Sequence, residues 1–164
     1  MTAVAGSGQP FQAFLEEHRE AVVVFLRGLV GPGEAEDCAQ ETFLAALQGF
    51  PRFDGRHPRA WILAIAQNKA TDHWRVTRAT GELSCDGAVE QADSSVEPQL
   101  PAATWEALSE LPENQRAAVV LRYAVDLRYR EIGDSLGCSE AAARQRVRSA
   151  LQALRDSAIA KEVQ

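Results

Sequence analysis

Hydrophobic positions recur at intervals of three and four along several long segments of the chain, and alternating stretches are scarce. That pattern predicts helices rather than sheets. Phe11, Phe14, Leu15, Val22, Phe25, Leu26 and Leu29 form one stripe, ended by Gly31-Pro32-Gly33. Ala35, Ala39, Thr42, Phe43, Ala46, Leu47 and Phe50 form a second, ended by Pro51. A loop from Arg52 to His57 follows, and Pro58 then fits the first turn of a third helix. This helix carries Trp61, Ile62, Ile65 and Trp74 and is expected to run to about Arg78. Helical spacing resumes at Trp105, Leu108 and Leu111 and continues from Pro112 to about Tyr123. Two shorter elements, Arg128 to Leu136 and Glu140 to about Asp156, follow. No internal repeat is visible.

Between these groups, Thr80 to Ala103 breaks the pattern. It holds Gly81, Gly87, two prolines, two consecutive serines, no aromatic residue and only acidic charge. Such a stretch reads as an extended, flexible linker and a domain boundary. The expected fold is all-α, with two small helical domains. A disordered tail over 1–10 leads into one helical domain over 11–79, followed by an acidic linker over 80–104 and a second domain over 105–157.

Apolar residues make up 46% of the chain, enough for packed cores. Domains this small bury a modest fraction of their surface, which suits a chain that works against a larger partner. No uncharged apolar stretch approaches the ~18 residues of a membrane span, so no membrane insertion is expected. Met1 to Pro10 lacks the basic region and hydrophobic core of a secretory signal, and the expected location is cytoplasmic. Cys38, Cys85 and Cys138 are widely spaced, as are His18, His57 and His73. Structural zinc wants four closely spaced ligands, so neither metal nor cofactor is expected, and the cysteines read as reduced packing residues. No nucleophile, acid/base pair or metal cluster marks an enzyme.

The net charge of −6 argues at first against nucleic acid. Its distribution reverses that impression. Residues 11–50 carry a net −5, 51–79 a net +4 and 80–104 a net −5, while 141–155 hold four Arg and no acid. Phosphate attraction depends on the local patch rather than the total. Fifteen of the 17 basic residues are Arg, which suits bidentate contacts and equally fits a GC-rich genome.

Tyr129, Ile132 and Leu136 place one apolar face on a two-turn helix. Gly137-Cys138-Ser139 supplies a left-handed turn and an N-cap for the next helix. There Ala143, Val147, Ala150, Leu151 and Leu154 face inward, and Arg144, Gln145, Arg146 and Arg148 face outward or flank. This describes a helix-turn-helix with guanine- and adenine-reading side chains near the start of its second helix. It also describes a helical hairpin with a solvated Arg face. In the N-terminal half, Glu36, Asp37, Gln40 and Glu41 lie off the apolar stripe, either as a docking face for a basic protein or as acids favoured at a helix start by its dipole. Arg52, Phe53, Arg56, His57, Arg59 and Trp61 interleave basic and aromatic residues, which suits single-stranded nucleic acid. Phe53 and Trp61 serve equally well as core anchors.

The order of these parts carries a resemblance. Ala35-Glu36-Asp37-Cys38-Ala39-Gln40-Glu41-Thr42-Phe43, Phe53-Asp54 and the run from Trp61 to His73 resemble region 2 of sigma factors. Leu111-Pro112-Glu113-Asn114-Gln115-Arg116, Leu121-Arg122-Tyr123, Tyr129-Arg130-Glu131-Ile132-Gly133 and Leu136-Gly137-Cys138-Ser139 resemble region 4. Two regions on a short linker resemble the extracytoplasmic-function (ECF) group of the sigma-70 family, collinearly over roughly residues 11–156. The resemblance implies a transcription initiation factor that binds core RNA polymerase, through the β′ coiled coil and the β flap, and directs it to promoter DNA. An anti-sigma factor is a further expected partner.

By the same resemblance Asp37, Gln40 and Glu41 dock on the polymerase. Asp54, Gly55, Arg56, His57 and Arg59 read the −10 element, while Lys69, with Arg75 and Arg78, holds DNA backbone. Arg144, Gln145 and Arg148 read the −35 element, with Arg146 on phosphate. The acidic linker resembles the segment lying in the RNA exit path. Ala142 and Ser149 stand where the family often has Thr and Arg, which puts the particular −35 sequence in doubt. The alternative is a stand-alone helix-turn-helix regulator that is not a polymerase subunit. It explains residues 105–156 but not Asp37, Gln40 and Glu41.

Overall fold

The computed structural model describes residues 8–80 and 102–162. Residues 1–7 of the expected tail, most of the acidic linker and Cys85 lie outside the described residues. Helix α1 spans Gly8–Val30, α2 Pro32–Gly49 and α3 Pro58–Thr80, with a single 3₁₀ turn at Phe50–Arg52. Then come α4 (Ala102–Ser109), α5 (Glu113–Tyr123), α6 (Tyr129–Leu136) and α7 (Glu140–Glu162). No strand occurs among the described residues, and the fold is all-α.

In the first three helices the periodic stripes form the core. Val22, Phe25, Leu26 and Leu29 of α1 pack with Ala35, Ala39 and Ala46 of α2 and Ile62, Leu63 and Ala66 of α3, all buried. Small residues on α2 let its backbone approach α1 closely. Only Gly31, at φ 99°, separates the two helices, and Pro32 is the first residue of α2 rather than part of a loop. A proline ring fixes φ near the helical value and lacks the N–H that a first turn leaves unpaired. Leu47, counted in the second stripe, is 49% exposed, because the buried line through Ala35, Ala39, Thr42 and Ala46 passes one residue before it. Thr42 is buried and its hydroxyl donates to the Cys38 carbonyl at 2.8 Å. Cys38 is buried in the same helix, and burial, with help from Glu41, Glu34 and Asp37, raises its thiol to about 11. It is therefore a packing residue rather than a reactive one.

An aromatic cluster closes the end of this bundle. Phe14 lies 5.3 Å from Phe50 and 5.7 Å from Trp61, and Phe53 stacks on Trp61 at 4.5 Å. In the second half, Leu121, Leu127, Ile132, Ala143, Val147 and Ala150 form the core of α5, α6 and α7. The last helix runs beyond Asp156 to Glu162, where Ser157 donates to Glu110 at 2.9 Å and Lys161 pairs with it at 3.8 Å. The two halves also meet: α5 packs on α1 and α6 packs on α3, so the buried residues form one continuous core.

Candidate functional site

The turn between α6 and α7 is built by local chemistry. Glu131 reaches back to accept from the backbone N–H of Arg128 at 2.9 Å, fixing the start of α6. Gly137 takes the left-handed conformation, φ 64°, that a helix C-terminus favours, and the Cys138 N–H donates to the Gly133 carbonyl at 2.9 Å. Ser139 Oγ then accepts from the Ala142 N–H at 3.1 Å, capping α7. Any Cβ at Gly133 would stand 2.6 Å from the Cys138 carbonyl oxygen, so this close crossing tolerates no side chain there.

With Ala143, Val147 and Ala150 buried, Arg144, Gln145 and Arg148 are exposed on the outer side of α7. Arg144 is held in place. Its guanidinium donates to Glu140 at 3.0 Å and lies 5.0 Å from the centre of the Tyr129 ring. Gln145 donates to Ser149 at 3.3 Å. Arg146 points elsewhere: it is half-buried and lines a cleft with Gln67, Glu113, Asn114 and Leu136, at the junction of the two halves. The second helix thus presents three of the four expected side chains on an open face.

On α2, Asp37, Gln40 and Glu41 are all exposed, with no ion pair or side-chain hydrogen bond to described residues. Leu44 and Leu47, 61% and 49% exposed, continue that face toward the end of the helix. The surface is acidic at one end and apolar at the other, a combination able to take a partner that is both basic and apolar. Leu44 stands off the stripe in the sequence, whereas Leu47 was counted in it and only packing shows it exposed.

The loop from Asp54 to His57 is exposed, with Asp54 accepting from the Arg56 N–H at 2.8 Å and both Gly55 and His57 at positive φ. It gathers Asp54, Gly55, Arg56 and His57 at one end of the bundle, beside the aromatic cluster. The rings of Phe53 and Trp61 are occupied with each other and with Phe14, so they serve as anchors. Arg59 is not free. Its guanidinium donates to the Val125 carbonyl at 2.7 Å, across to the second half. Lys69 lies about 15 Å further along the α3 axis, too far to share one contact with the loop.

Three polar residues that periodicity alone did not flag are buried, Ser135 and the titratable His18 and Arg116. His18 packs edge-on to Phe14 at 4.7 Å, its Nε2 has no partner, and burial lowers its pKa, as does Arg59, while Glu17 opposes. Arg116 is buried, and burial likewise lowers its pKa against the opposing pull of Glu113.

The halves match known sequences separately. The family description Sigma-70 region 2 matches residues 14–80, and Sigma-70, region 4 matches residues 102–154. The ECF RNA polymerase sigma factor ShbA of Streptomyces griseus is 36% identical over 171 residues, covering 93% of this chain and 90% of that one. The ECF sigma factor SigC of Mycobacterium tuberculosis is 32% identical over 163 residues, covering 94% and 86%. Among solved structures, CnrH in complex with the cytosolic domain of CnrY superposes with a TM-score of 0.69 at 25% identity, covering 93% of this chain and 89% of that one. The fold is also shared with RpoE of Bartonella quintana, solved with the anti-sigma factor NepR, at a TM-score of 0.75 and 24% identity, covering 90% and 96%.

Proposed function

The chain belongs to the sigma-70 family, in its ECF group, and from that premise we propose that it is a transcription initiation factor that binds core RNA polymerase and directs it to promoters through −10 and −35 elements. The observation that carries this reading is the pair of collinear matches, region 2 over 14–80 and region 4 over 102–154. A stand-alone helix-turn-helix regulator would account for the second match and leave the first without a purpose.

The division of labour follows the two regions. Region 2, about residues 11–79, docks on the polymerase through Asp37, Gln40 and Glu41 and reads the −10 element with Asp54, Gly55, Arg56, His57 and Arg59, with Lys69 on the DNA backbone. Region 4, about residues 105–157, reads the −35 element with Arg144, Gln145 and Arg148, and Arg146 supplies positive charge beside them. Phosphate contacts hold register while base-edge contacts specify sequence, so the four Arg and Gln side chains need not act alike. The chemistry of RNA synthesis stays with the polymerase, and this chain contributes recognition, in the cytoplasm. An anti-sigma partner fits the company of CnrH and RpoE, both solved with proteins bound.

The test is competition for core polymerase. Asp37 and Glu41 are exposed and lie off the buried face, so Asp37→Lys and Glu41→Lys should change stability by less than about 0.5 kcal/mol. Breaking a charge-complementary contact that is desolvated on binding should cost ~2–5 kcal/mol. Variants that fold normally and displace a labelled parent chain from core as well as the parent does would overturn the docking assignment.

A further inference from the structure

An acid stands in the loop assigned to the −10 element. Residues 51–79 carry a net charge of +4, and Asp54 is exposed among them between Arg52 and Arg56. A carboxylate facing DNA repels phosphate, so either a local bond or a base edge has to offset it. Although arginines flank it, Asp54 forms no ion pair with a described residue. Its one hydrogen bond is to the chain itself, where Oδ1 accepts from the Arg56 backbone N–H at 2.8 Å. An Asp that takes the N–H two residues on closes a small turn in place of a backbone carbonyl.

The ends of this loop are fixed as well. Phe53 stacks on Trp61 with ring centres 4.5 Å and planes 25° apart, so the residues on either side of 54–60 are held against each other. The Phe53 N–H donates to the Phe50 carbonyl at 3.1 Å and the Trp61 N–H to the His57 carbonyl at 2.9 Å. Between these anchors Gly55 and His57 are left-handed, at φ 79° and 48°. Glycine takes that conformation freely. His57 does not, and it directly precedes Pro58, whose ring crowds the residue ahead of it. Asn or Gly would hold the backbone at position 57 with less strain, so the imidazole serves for what it presents rather than for the turn. Arg56 and His57 are both exposed, and neither side chain makes a hydrogen bond or ion pair to a described residue.

Resting on the −10 reading above, we propose that Asp54 is a positioning residue. Its carboxylate meets no base and instead holds the loop as a preformed bracket that presents Arg56 and His57 to the −10 element. Side chains carried on a fixed backbone lose less freedom on binding, so the bracket sharpens discrimination among bases. Bracket and base reader make different demands on the residue. A bracket needs only an acceptor for the Arg56 N–H, which the side-chain oxygen of Asn supplies as well as that of Asp. A reading carboxylate accepts only, as from the cytosine amino group, whereas an Asn amide also donates and favours adenine.

Asp54→Ala, Asp54→Asn and Gly55→Ala in the full chain separate the two. Transcription with core polymerase is read on single-base −10 variants of a promoter found by mapping starts on a genomic library. Solution NMR of the free chain follows the temperature dependence of the Arg56 amide shift, which is shallow while that N–H is bonded within the protein. Asp54→Ala should steepen it. The same change should lower the ratio of initiation between best and worst −10 base by about fivefold or more, the smaller end of what a base-edge contact is worth. Preference at −35 should stay that of the parent. Gly55→Ala should act alike with the carboxylate in place, because alanine at φ 79° is strained. Asp54→Asn should restore both readouts. An Asn variant that keeps the shallow amide dependence but shifts the preferred −10 base overturns the proposal, since the carboxylate then touches the base. An Ala variant with the parent's base preference, or with an unmoved Arg56 amide, overturns it too. If Asp54→Ala loses helicity by circular dichroism, Gly55→Ala against Asp54→Asn still decides. If no form initiates with core, the sigma-factor reading fails, while the Arg56 amide still shows whether Asp54 holds the loop.

Discussion

Arg144 stands on the outer face of α7 with its guanidinium already steered by Glu140 and the Tyr129 ring. A side chain held before binding loses less freedom when it meets a base edge. Arg144→Ala should cost ~1–3 kcal/mol of promoter recognition and relax preference at one −35 position. Transcription from single-base promoter variants measures it, and a shift in −10 preference with −35 preference intact would refute the assignment. His18 tells a different story at the same scale. Burial disfavours its charged form, so the folded chain keeps it neutral while the unfolded chain takes up a proton near pH 6.5. Its folded pKa is depressed, so stability is full above about 6.5 and falls as pH drops below that. His18→Phe, which keeps a ring against Phe14, should flatten the decline of melting temperature between pH 7 and 5. An unchanged slope would place the acid sensitivity elsewhere. The burial of His18 was legible after all: Phe11, Phe14, His18, Val22 and Phe25 follow one another at spacings of three and four. A reading that counted only apolar residues passed over it.

At the level of elements, local signals carried most of the fold. Gly137 and Ser139 are adjacent to the turn they make, so sequence reasoning could place the α6–α7 corner and hence the exposed set Arg144, Gln145 and Arg148. Ser139→Ala removes the oxygen that accepts from the Ala142 N–H and should destabilise the chain by ~1 kcal/mol, within ~0.5–2. Urea denaturation would show it as a lower midpoint at constant slope, and an unchanged midpoint would mean water replaces the cap without loss. What local signals could not place were features fixed by distant contacts. The last turn of α7 is tied to Glu110 through Ser157 and Lys161, and Arg146 lines a cleft with Gln67 from another helix. Neither relation leaves a trace in periodicity. The aromatic loop shows the converse, since Phe53 and Trp61 fit two readings in sequence and packing selects one.

For the whole molecule, the sequence indicated two helical groups and gave less direct notice that they touch. One sign was present: Ala117-Ala118-Val119-Val120-Leu121 is a continuous apolar run, which suits a helix covered all round rather than one with a wet face. A single core shared by both halves predicts a single cooperative unfolding transition, with calorimetric and van't Hoff enthalpies equal. Any Cβ at Gly28 of α1 would come within 2.5 Å of a Val120 methyl on α5, so Gly28→Leu should wedge the halves apart and split it into two overlapping transitions. Two separate transitions in the parent chain would show that the halves are energetically independent. The crowding at Gly28 has one more consequence. Because no larger side chain fits between α1 and α5 there, the joint between the halves hangs on a position that has no side chain of its own. Sequence change at that point would be felt first as lost stability, while the exposed set on α7 could drift without disturbing the core. Robustness of the scaffold and choice of DNA target would thus be inherited at separate positions of the chain, free to vary independently.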